Sequence, residues 1–232
     1  MHAIVMVGGK GTRLLPHTRN TPKALLGVGG RSILEILVDR LRQAGTDRIT
    51  MCVSHLADAI RQRFGDGCQF GVALDYAFDR EPMGTAGPLL LVEDWHEAAV
   101  IVNGDVLSTI DFAQLHRAHC AGRDVLTVAT HTHRVPIELG VLDIADGQVV
   151  GVREKPELTL DVAAGIYVAD PAVREHIPAD RTTDMPALIT TLTRLGASVG
   201  AYRFSDEWHD IGTPQKYALV QQRALEDPVF GA

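Results

Sequence analysis

The sequence predicts an α/β fold: one mixed, mostly parallel, twisted sheet flanked by helices, with a small β-hairpin region in the second half of the chain. Strand-like apolar runs alternate with helix-like segments up to about residue 135. The run from Ala99 to Val102 is continuously apolar, which is typical of a buried parallel strand. A glycine-rich turn follows the first strand directly. Ligands of such sheets bind beyond the carboxyl ends of the strands, so we expect the site there.

Local signals predict the elements of the first half in order. Ser32 and Glu35 have the spacing of a capping box, apolar residues follow at helical spacing, and Gly45 ends the helix. The other elements predicted here are a strand at 2–7, a strand at 49–53, a helix at 55–64, strands at 72–77 and 99–102, a helix from Asp111 as its cap to Cys120, and a strand at 124–129.

From about residue 136 the pattern changes to paired strands. Runs at 140–144 and 148–153 flank Asp146-Gly147, a dipeptide typical of hairpin turns. The remaining predicted elements are a strand at 162–168, a helix capped by Asp184 and ending at Leu195, a strand at 199–204, and a closing helix at 214–224 with Pro214 in its first turn. Because no linker or repeat interrupts the chain, residues 1–232 are predicted to form a single domain.

Composition excludes several classes of protein. The chain has 232 residues, 46% of them hydrophobic and 22% charged, which is typical of a soluble globular domain. No apolar run approaches the roughly 20 residues of a membrane span, and no signal peptide is expected. A net charge of −7 argues against a nucleic-acid partner. We therefore expect a cytoplasmic protein with neither a membrane nor a nucleic acid as its partner.

Cysteines and histidines give no strong metal signal. The cysteines are three, scattered, and never in a C-x-x-C pair, which predicts reduced thiols. His131-x-His133 and His116-x-x-His119 are the nearest approach to zinc-ligand spacing. We prefer surface or helix-packing roles for these four histidines over zinc binding.

The sequence Gly8-Gly9-Lys10-Gly11-Thr12-Arg13 indicates a phosphate-binding turn. Glycines let backbone N–H groups approach an anion, and basic side chains follow at once. The spacing is not that of the phosphate loop of kinases and ATPases. The dinucleotide-binding fingerprint also fails, because its third glycine position is Leu14. An ordinary tight turn after a first strand remains the alternative for the glycines taken alone.

Six segments together resemble the sugar-1-phosphate nucleotidyltransferases, the enzymes that make NDP-sugars. The resemblance covers residues 1 to about 220 and implies a Rossmann-like fold. Residues from 1 to about 135 would form the nucleotide-binding half, and about 136–225 the sugar-phosphate-binding half. The segments are GGKGTRLLPHTRNTPKALLGVGG at 8–30, EPMGTAG at 81–87, VNGD at 102–105, EKP at 154–156, GIYV at 165–168 and WHDIGTP at 208–214.

The resemblance implies attack by a sugar-1-phosphate oxygen on the α-phosphorus of an NTP, with pyrophosphate expelled. Such a reaction depends on positioning and charge neutralisation. Arg13 and Lys23 are the implied catalytic residues. The planar guanidinium of Arg13 suits two phosphate oxygens, and Lys23 suits the charge that develops on the α-phosphate. A solvated loop lysine is the alternative for Lys23.

The resemblance also implies Mg²⁺ as the cofactor, held by Asp105 and Asp210. Magnesium is usually bound by one or two carboxylates together with substrate phosphates and water. Asp105 follows a buried strand, and Asp210 lies in an apolar-aromatic turn. A helix cap or a turn residue is the alternative for each.

The implied ligands are an NTP and a sugar 1-phosphate. Lys155 is implied to bind the sugar phosphate, Glu154 the sugar hydroxyls, and Gly140 and Gly165 to let the backbone approach the ring. Many relatives have Asn where this chain has Ala163, a change that bears on which sugar is bound. The residues implied to bind the nucleotide are Gly8, Gly9, Gly11, Thr12, Arg13, Glu81, Gly84 and Thr85, and those implied to bind the sugar phosphate are Asn103, Gly140, Glu154, Lys155 and Gly165.

Base choice is predicted from Glu81. A carboxylate can accept hydrogen bonds from guanine N1–H and its exocyclic amine together, and the segment after Glu81 is most similar to mannose- and heptose-1-phosphate guanylyltransferases. GTP is therefore preferred, with Glu81 as a plain loop carboxylate the alternative. Uridylyl or thymidylyl transfer, transfer to a phosphorylated alcohol, and a non-catalytic NDP-sugar-binding regulator are the competing functions. A homo-oligomer is left open.

Overall fold

The computed structural model describes residues 1–226. The helices are α1 Ile33–Gln43, α2 Ala57–Phe64, α3 Phe112–Ala121, α4 Met185–Arg194 and α5 Pro214–Glu226. The strands are β1 His2–Met6, β2 Gly27–Val28, β3 Arg31–Ser32, β4 Arg48–Val53, β5 Ala73–Phe78, β6 Ala99–Asn103, β7 Val106–Ser108, β8 Leu126–Pro136, β9 Val141–Ala145, β10 Gln148–Arg153, β11 Glu157–Ala169, β12 Val199–Phe204 and β13 Trp208–Asp210.

Seven strands form the central sheet in the order β12-β8-β11-β6-β1-β4-β5. The pairs β1–β4, β1–β6, β4–β5 and β8–β12 are parallel, whereas β11 runs antiparallel to both of its neighbours. The prediction of a mixed, mostly parallel sheet flanked by helices is therefore confirmed. Strands β11 and β12 come from the second half of the chain, so one sheet runs through both halves.

Apolar side chains point alternately to the two faces of this sheet, and each face packs against helices. In β1, Ala3 and Val5 face a core that also holds the apolar side chains of α1, α2 and α3, whereas Ile4 faces the core built with α4. A third cluster joins α5 to the segment that follows the glycine-rich loop. Among the described residues, no helix has both the length and the apolar character that crossing a bilayer requires.

The capping signals behave as the sequence predicts. Ser32 Oγ accepts from Glu35 N at 3.2 Å, and Glu35 Oε2 accepts from Ser32 N at 2.7 Å, so the capping box starts α1. Asp111 caps α3 by accepting from Gln114 N at 2.8 Å. The turn between β9 and β10 has positive φ at Asp146 and Gly147, 51° and 77°. These features depend on contacts a few residues apart, which is why the sequence predicts them.

The prediction that the Asp184 side chain caps α4 is wrong. Asp184 occupies the position before the helix, but its carboxylate accepts from Thr85 N at 3.0 Å instead of from the helix. The Thr85 hydroxyl takes over the cap by accepting from Met185 N at 2.9 Å. These two hydrogen bonds join segments that are about a hundred residues apart in the sequence. They fix the loop at Thr85 to the start of α4.

Two strands are longer than their apolar runs predicted. The strand expected at 124–129 extends to Pro136 and the strand expected at 162–168 starts at Glu157, because β8 and β11 continue to pair beyond the core. The short strands β7 and β13 were not predicted. They pair antiparallel to each other, with Asp210 opposite Val106.

Candidate active site

The glycine-rich loop leaves the carboxyl end of β1 and is held by contacts within the protein. Gly11 has φ 62°, and a Cβ there would lie 2.9 Å from Thr18 Cγ2. Thr18 Oγ1 donates to Gly11 O at 2.7 Å. A Cβ at Gly9, in contrast, would meet no atom within 4 Å. The loop therefore keeps its shape through Gly11 and Thr18, while its backbone at Gly9 stays accessible.

This loop forms one wall of a cavity of about 530 Å³. That volume lies within the range typical of small-molecule sites. The predicted site residues that line it are Gly8, Gly9, Gly11, Thr12, Arg13, Lys23, Gly84, Thr85, Asn103 and Asp105. Three sequence segments that carry predicted nucleotide, sugar-phosphate and metal ligands thus meet at one cavity beyond the carboxyl ends of β1, β4 and β6.

Lys23 forms an ion pair with Asp105 inside this cavity. The Lys23 ammonium donates to Asp105 Oδ2, and the two side chains are only 12% and 25% exposed. Lys23 starts the short helical turn Lys23–Leu25, which follows Pro22. It is therefore not the solvated loop lysine that the sequence left as an alternative.

The β7–β13 pair brings Asp105 and Asp210 to neighbouring strand ends. Asp105 immediately precedes β7, and its carbonyl accepts from Ile211 N at 3.0 Å, directly after Asp210. A Cβ at Gly212 would lie 3.3 Å from both carboxylate oxygens of Asp210 and 3.5 Å from Arg13 Nη2. Arg13 and Asp210 thus both lie close to Gly212, a cavity-lining glycine that leaves room for the two side chains.

The donor set at these two aspartates fits a hard divalent cation. Carboxylate oxygens are the ligand type that magnesium prefers. Each of the two carboxylates accepts a hydrogen bond from a lysine ammonium group, Asp105 from Lys23 and Asp210 from Lys216 at 2.9 Å. Among the described residues, no group of three or more His, Cys, Asp or Glu side chains is placed to hold a metal. A site of two carboxylates completed by substrate phosphates is compatible with both observations.

Gly165 lies against Asn103, and Asn103 lines the cavity. Gly165 has φ 70°, and a Cβ there would lie 2.7 Å from Asn103 Nδ2. The bulge in β11 around Gly165 is fixed by Trp208, whose indole N–H donates to Ala164 O at 2.8 Å. Asn103 Oδ1 is buried and has no hydrogen-bond partner within residues 1–226. This close approach requires glycine and leaves an amide oxygen beside the cavity without a partner.

Gly84 and Thr85 also line the cavity. Gly84 has φ 82°, and a Cβ there would lie 2.5 Å from Thr183 O and 2.7 Å from Asp184 Oδ1. No residue with a side chain fits between this loop and the start of α4. The predicted nucleotide-binding segment is therefore fixed against α4 by its glycine as well as by Thr85.

Six predicted site residues are not among those that line the cavity, namely Glu81, Gly140, Glu154, Lys155, Gly165 and Asp210. Glu81 is exposed and is not among the residues that line the cavity. Gly140, Glu154 and Lys155 are exposed at the base of the β9–β10 hairpin, where a Cβ at Gly140 would lie 3.3 Å from Glu154 Oε2. Their assignments to the base and to the sugar phosphate stay predictions.

Outside the glycine-rich loop, three lining residues with polar side chains were not singled out as site residues from the sequence. Cys52 and Ser54 lie at the end of β4, and Asp79 follows β5. Burial, together with the negative charge of Asp79, raises the pKa of the Cys52 thiol to about 12, so the thiol stays protonated at neutral pH. Their position directly after predicted parallel strands could have identified them, because ligands bind at the carboxyl ends of such strands.

His119 and His131 have packing roles. His119 is buried, and its Nδ1 lies 2.8 Å from Thr127 Oγ1. His131 stacks on Trp208 with ring centroids 5.4 Å apart. These contacts agree with the packing roles expected for His119 and His131.

Comparisons with known proteins agree with this geometry. The family model described as nucleotidyl transferase matches residues 2–227. The chain is 32% identical to the UTP–glucose-1-phosphate uridylyltransferase of Synechocystis over 94% of this chain and 61% of that protein. It is also 32% identical to the mannose-1-phosphate guanylyltransferase of Mycobacterium tuberculosis, over 93% of this chain and 62% of that protein. The chain thus spans less than two thirds of the length of these relatives.

A solved structure shows the same fold. HddC from Yersinia pseudotuberculosis superposes with a TM-score of 0.74 at 22% identity, covering 96% of this chain and 98% of that chain. At that identity the likeness concerns the fold alone. The family model, which spans almost the whole sequence, is the stronger finding. The chain therefore belongs to the nucleotidyl transferase family, that of the sugar-1-phosphate nucleotidyltransferases its motifs resemble.

Proposed function

We propose that this protein transfers a nucleotidyl group from an NTP to a sugar 1-phosphate, giving an NDP-sugar and pyrophosphate. The observation that carries the proposal is the Lys23–Asp105 ion pair within a cavity whose other wall is the glycine-rich loop. The loop offers backbone N–H groups to the phosphates, while Lys23 and Arg13 supply positive charge to an otherwise acidic protein.

The residues of the chain act by binding and orienting the two reactants. In this proposal Arg13 binds triphosphate oxygens, and Lys23 neutralises the charge that grows on the α-phosphate as the sugar-phosphate oxygen attacks and pyrophosphate leaves. In this proposal Asn103 and Gly165 contact the sugar, and Glu154, Lys155 and Gly140 at the hairpin base bind the rest of the acceptor; the close packing of Gly165 on Asn103 supports the first of these roles. Mg²⁺ held by Asp105 and Asp210 would neutralise phosphate oxygens and orient them for in-line attack.

GTP is the proposed donor, with a mannose- or heptose-type sugar 1-phosphate as the acceptor. The similarity to a mannose-1-phosphate guanylyltransferase over 93% of this chain supports guanylyl transfer. The equal identity to a uridylyltransferase keeps UTP, with dTTP, as the second candidate. The four charged residues Arg13, Lys23, Asp105 and Asp210 are all present, which favours an enzyme over a non-catalytic regulator.

A substrate panel tests these points together. Purified protein is mixed with each of GTP, UTP, dTTP, CTP and ATP, and with mannose, heptose and glucose 1-phosphates or choline phosphate, and pyrophosphate release is measured. We expect the fastest turnover with GTP and a mannose- or heptose-type acceptor, loss of turnover with EDTA, and recovery when Mg²⁺ is restored. Faster turnover with UTP or dTTP would establish the second candidate. Nucleotide binding without pyrophosphate release from any pair would instead establish a regulator.

A further inference from the structure

The carboxylate of Asp184 and the side chain of Thr85 meet where the loop after β5 contacts the start of α4. Asp184 Oδ1 accepts from Thr85 N at 3.0 Å and from the Thr85 hydroxyl at 3.4 Å. The same hydroxyl accepts from Met185 N at 2.9 Å. A threonine has two donors, its N–H and its O–H. Both donors of Thr85 are therefore directed at the start of α4, although Thr85 lines the cavity.

Backbone hydrogen bonds join the same two segments around this pair. Thr183 N donates to Met83 O at 2.9 Å, and Thr183 O accepts from Ala86 N at 2.9 Å and from Gly87 N at 3.1 Å. Thr183 is buried, so water competes little for these bonds. The two segments, whose mutual contacts we call the clasp, are 82–87 and 182–185.

A local cap was open to Asp184. The residue directly precedes α4 and has extended backbone angles, φ −95° and ψ 156°, as helix-capping residues usually have. A cap made by Asp184 itself would form wherever the loop after β5 lay. The cap made by Thr85 forms only when that loop lies against α4. The start of the helix and the position of the loop therefore depend on each other.

The clasp holds one wall of the cavity. Pro82, Gly84 and Thr85 line the cavity, and the residues between β5 and Gly87 form neither a helix nor a strand. A loop of this kind lacks a backbone ladder, so contacts with other parts of the chain decide how well its position is defined. A shift of the loop away from α4 would change the width of the proposed nucleotide site.

We propose that Asp184 is a positioning residue for nucleotide binding, which acts through Thr85 to keep the loop after β5 at the cavity wall. In this role the N–H and the hydroxyl of Thr85 serve α4 and make no hydrogen bond to the nucleotide. Asp184 itself does not line the cavity. The inference rests on the proposed function, because it concerns the affinity of the same cavity for the nucleotide.

Asp184→Ala tests this role through nucleotide binding, measured by calorimetry without a sugar phosphate. The ligand is whichever of GDP and UDP the wild type binds more tightly. We expect its dissociation constant to rise roughly fivefold to tenfold, because a hydrogen bond to a charged acceptor is lost. At saturating substrates, kcat should fall less than about threefold, since the clasp affects binding and not the reacting phosphates.

Two further variants show whether the effect belongs to the bond with Thr85. Asp184→Asn keeps an oxygen that can accept from Thr85 N, so its dissociation constant should stay within about twofold of the wild-type value. Asp180→Ala is the matched control, because it removes an exposed carboxylate that lies outside the cavity. It should bind the nucleotide as the wild type does. An equal loss of affinity in Asp180→Ala would contradict the role of Asp184.

A double-mutant cycle asks whether the Thr85 hydroxyl contacts the nucleotide directly. Thr85→Val keeps the shape of the side chain and removes the hydroxyl. If the hydroxyl acts only through α4, Thr85→Val/Asp184→Ala should weaken binding by less than the product of the two single effects, because both changes break the same clasp. Single effects that multiply in full would show that the hydroxyl binds the nucleotide, and would overturn its assignment to α4.

Asp184→Ser separates the position of the loop from the stability of the helix. Serine is a preferred cap residue and can cap α4 by itself, so this variant keeps the start of the helix but loses the carboxylate that binds Thr85 N. We expect it to weaken nucleotide binding as Asp184→Ala does, and it takes the place of that variant if alanine prevents folding. Wild-type affinity in Asp184→Ser would show that only the helix matters and would overturn the inference.

Hydrogen exchange gives a readout that needs no ligand. The amides of Thr85, Ala86 and Gly87 should exchange about tenfold faster in Asp184→Ala, whereas those of β1 should not change. If the wild type binds a nucleotide but turns over no substrate pair, the proposed function fails, and the affinities and exchange rates still test Asp184. Wild-type affinity together with wild-type exchange in Asp184→Ala overturns the inference and leaves the proposed function intact.

Discussion

Asp105→Asn is expected to lower kcat by about three orders of magnitude, or about 4 kcal/mol of transition-state stabilisation. The substitution keeps the shape of the side chain but removes the charge that pairs with Lys23 and that would bind Mg²⁺. The effect should be on kcat more than on the affinity for the nucleotide, because the lost charge matters most when negative charge moves among the phosphates. Pyrophosphate release under saturating GTP and sugar 1-phosphate measures it.

The matched control for this variant is Asp180→Asn, an exposed aspartate outside the cavity. It should retain wild-type turnover. Because amide and carboxylate have the same shape, we expect the melting temperature of Asp105→Asn to stay within about 5 °C of the wild-type value. Wild-type kcat in Asp105→Asn would remove Asp105 from the proposed metal site and leave only its pairing with Lys23.

Lys23→Met is expected to have the second-largest effect and to lower kcat roughly 100- to 1,000-fold. Methionine keeps the unbranched stem that is largely buried in the cavity wall, so the change removes the charge and little packing. Arg13 and the loop backbone remain to bind the triphosphate. The dissociation constant for GTP, measured by calorimetry, should therefore rise less than about tenfold while kcat falls far more.

A double-mutant cycle distinguishes catalysis by Lys23 from a purely structural ion pair. If Lys23 acts on the phosphates, Lys23→Met/Asp105→Asn should be slower than either single variant, although the two effects need not add because the residues are in contact. If Lys23 only holds Asp105, the double variant should match Asp105→Asn. Equal rates for those two variants would contradict the catalytic role.

Several parts of the fold could be predicted because their causes lie within a few residues. The capping box of Ser32 and Glu35, the cap at Asp111 and the Asp146-Gly147 turn each depend on a hydrogen bond or a φ value set locally. The glycine-rich loop is similar, since Gly11 is required by its own positive φ and by Thr18 seven residues later. The buried strand β6 could also be predicted, because its residues form a continuous apolar run.

Other parts of the fold and of the site depend on contacts between distant segments, which the sequence pattern does not predict. The β7–β13 pair has only three residues in each strand, too few for a periodic pattern, yet it sets Asp105 and Asp210 side by side. Asp184 has the residue type and place of a helix cap, but Thr85 competes successfully for its carboxylate. Asp79 and Glu81 are two acids in one loop, and only their packing decides which lines the cavity.

By itself, the sequence determined the α/β class, the positions of most helix starts and turns, and the set of segments from which the cavity is built, because hydrophobic period, capping and glycine conformation act over short stretches of chain. Only the tertiary structure decided which acids meet at the cavity and which ammonium groups they pair with. Lys23 and Asp105 are 82 residues apart, and a contact of that kind is fixed by how the strands assemble, not by either residue's neighbours.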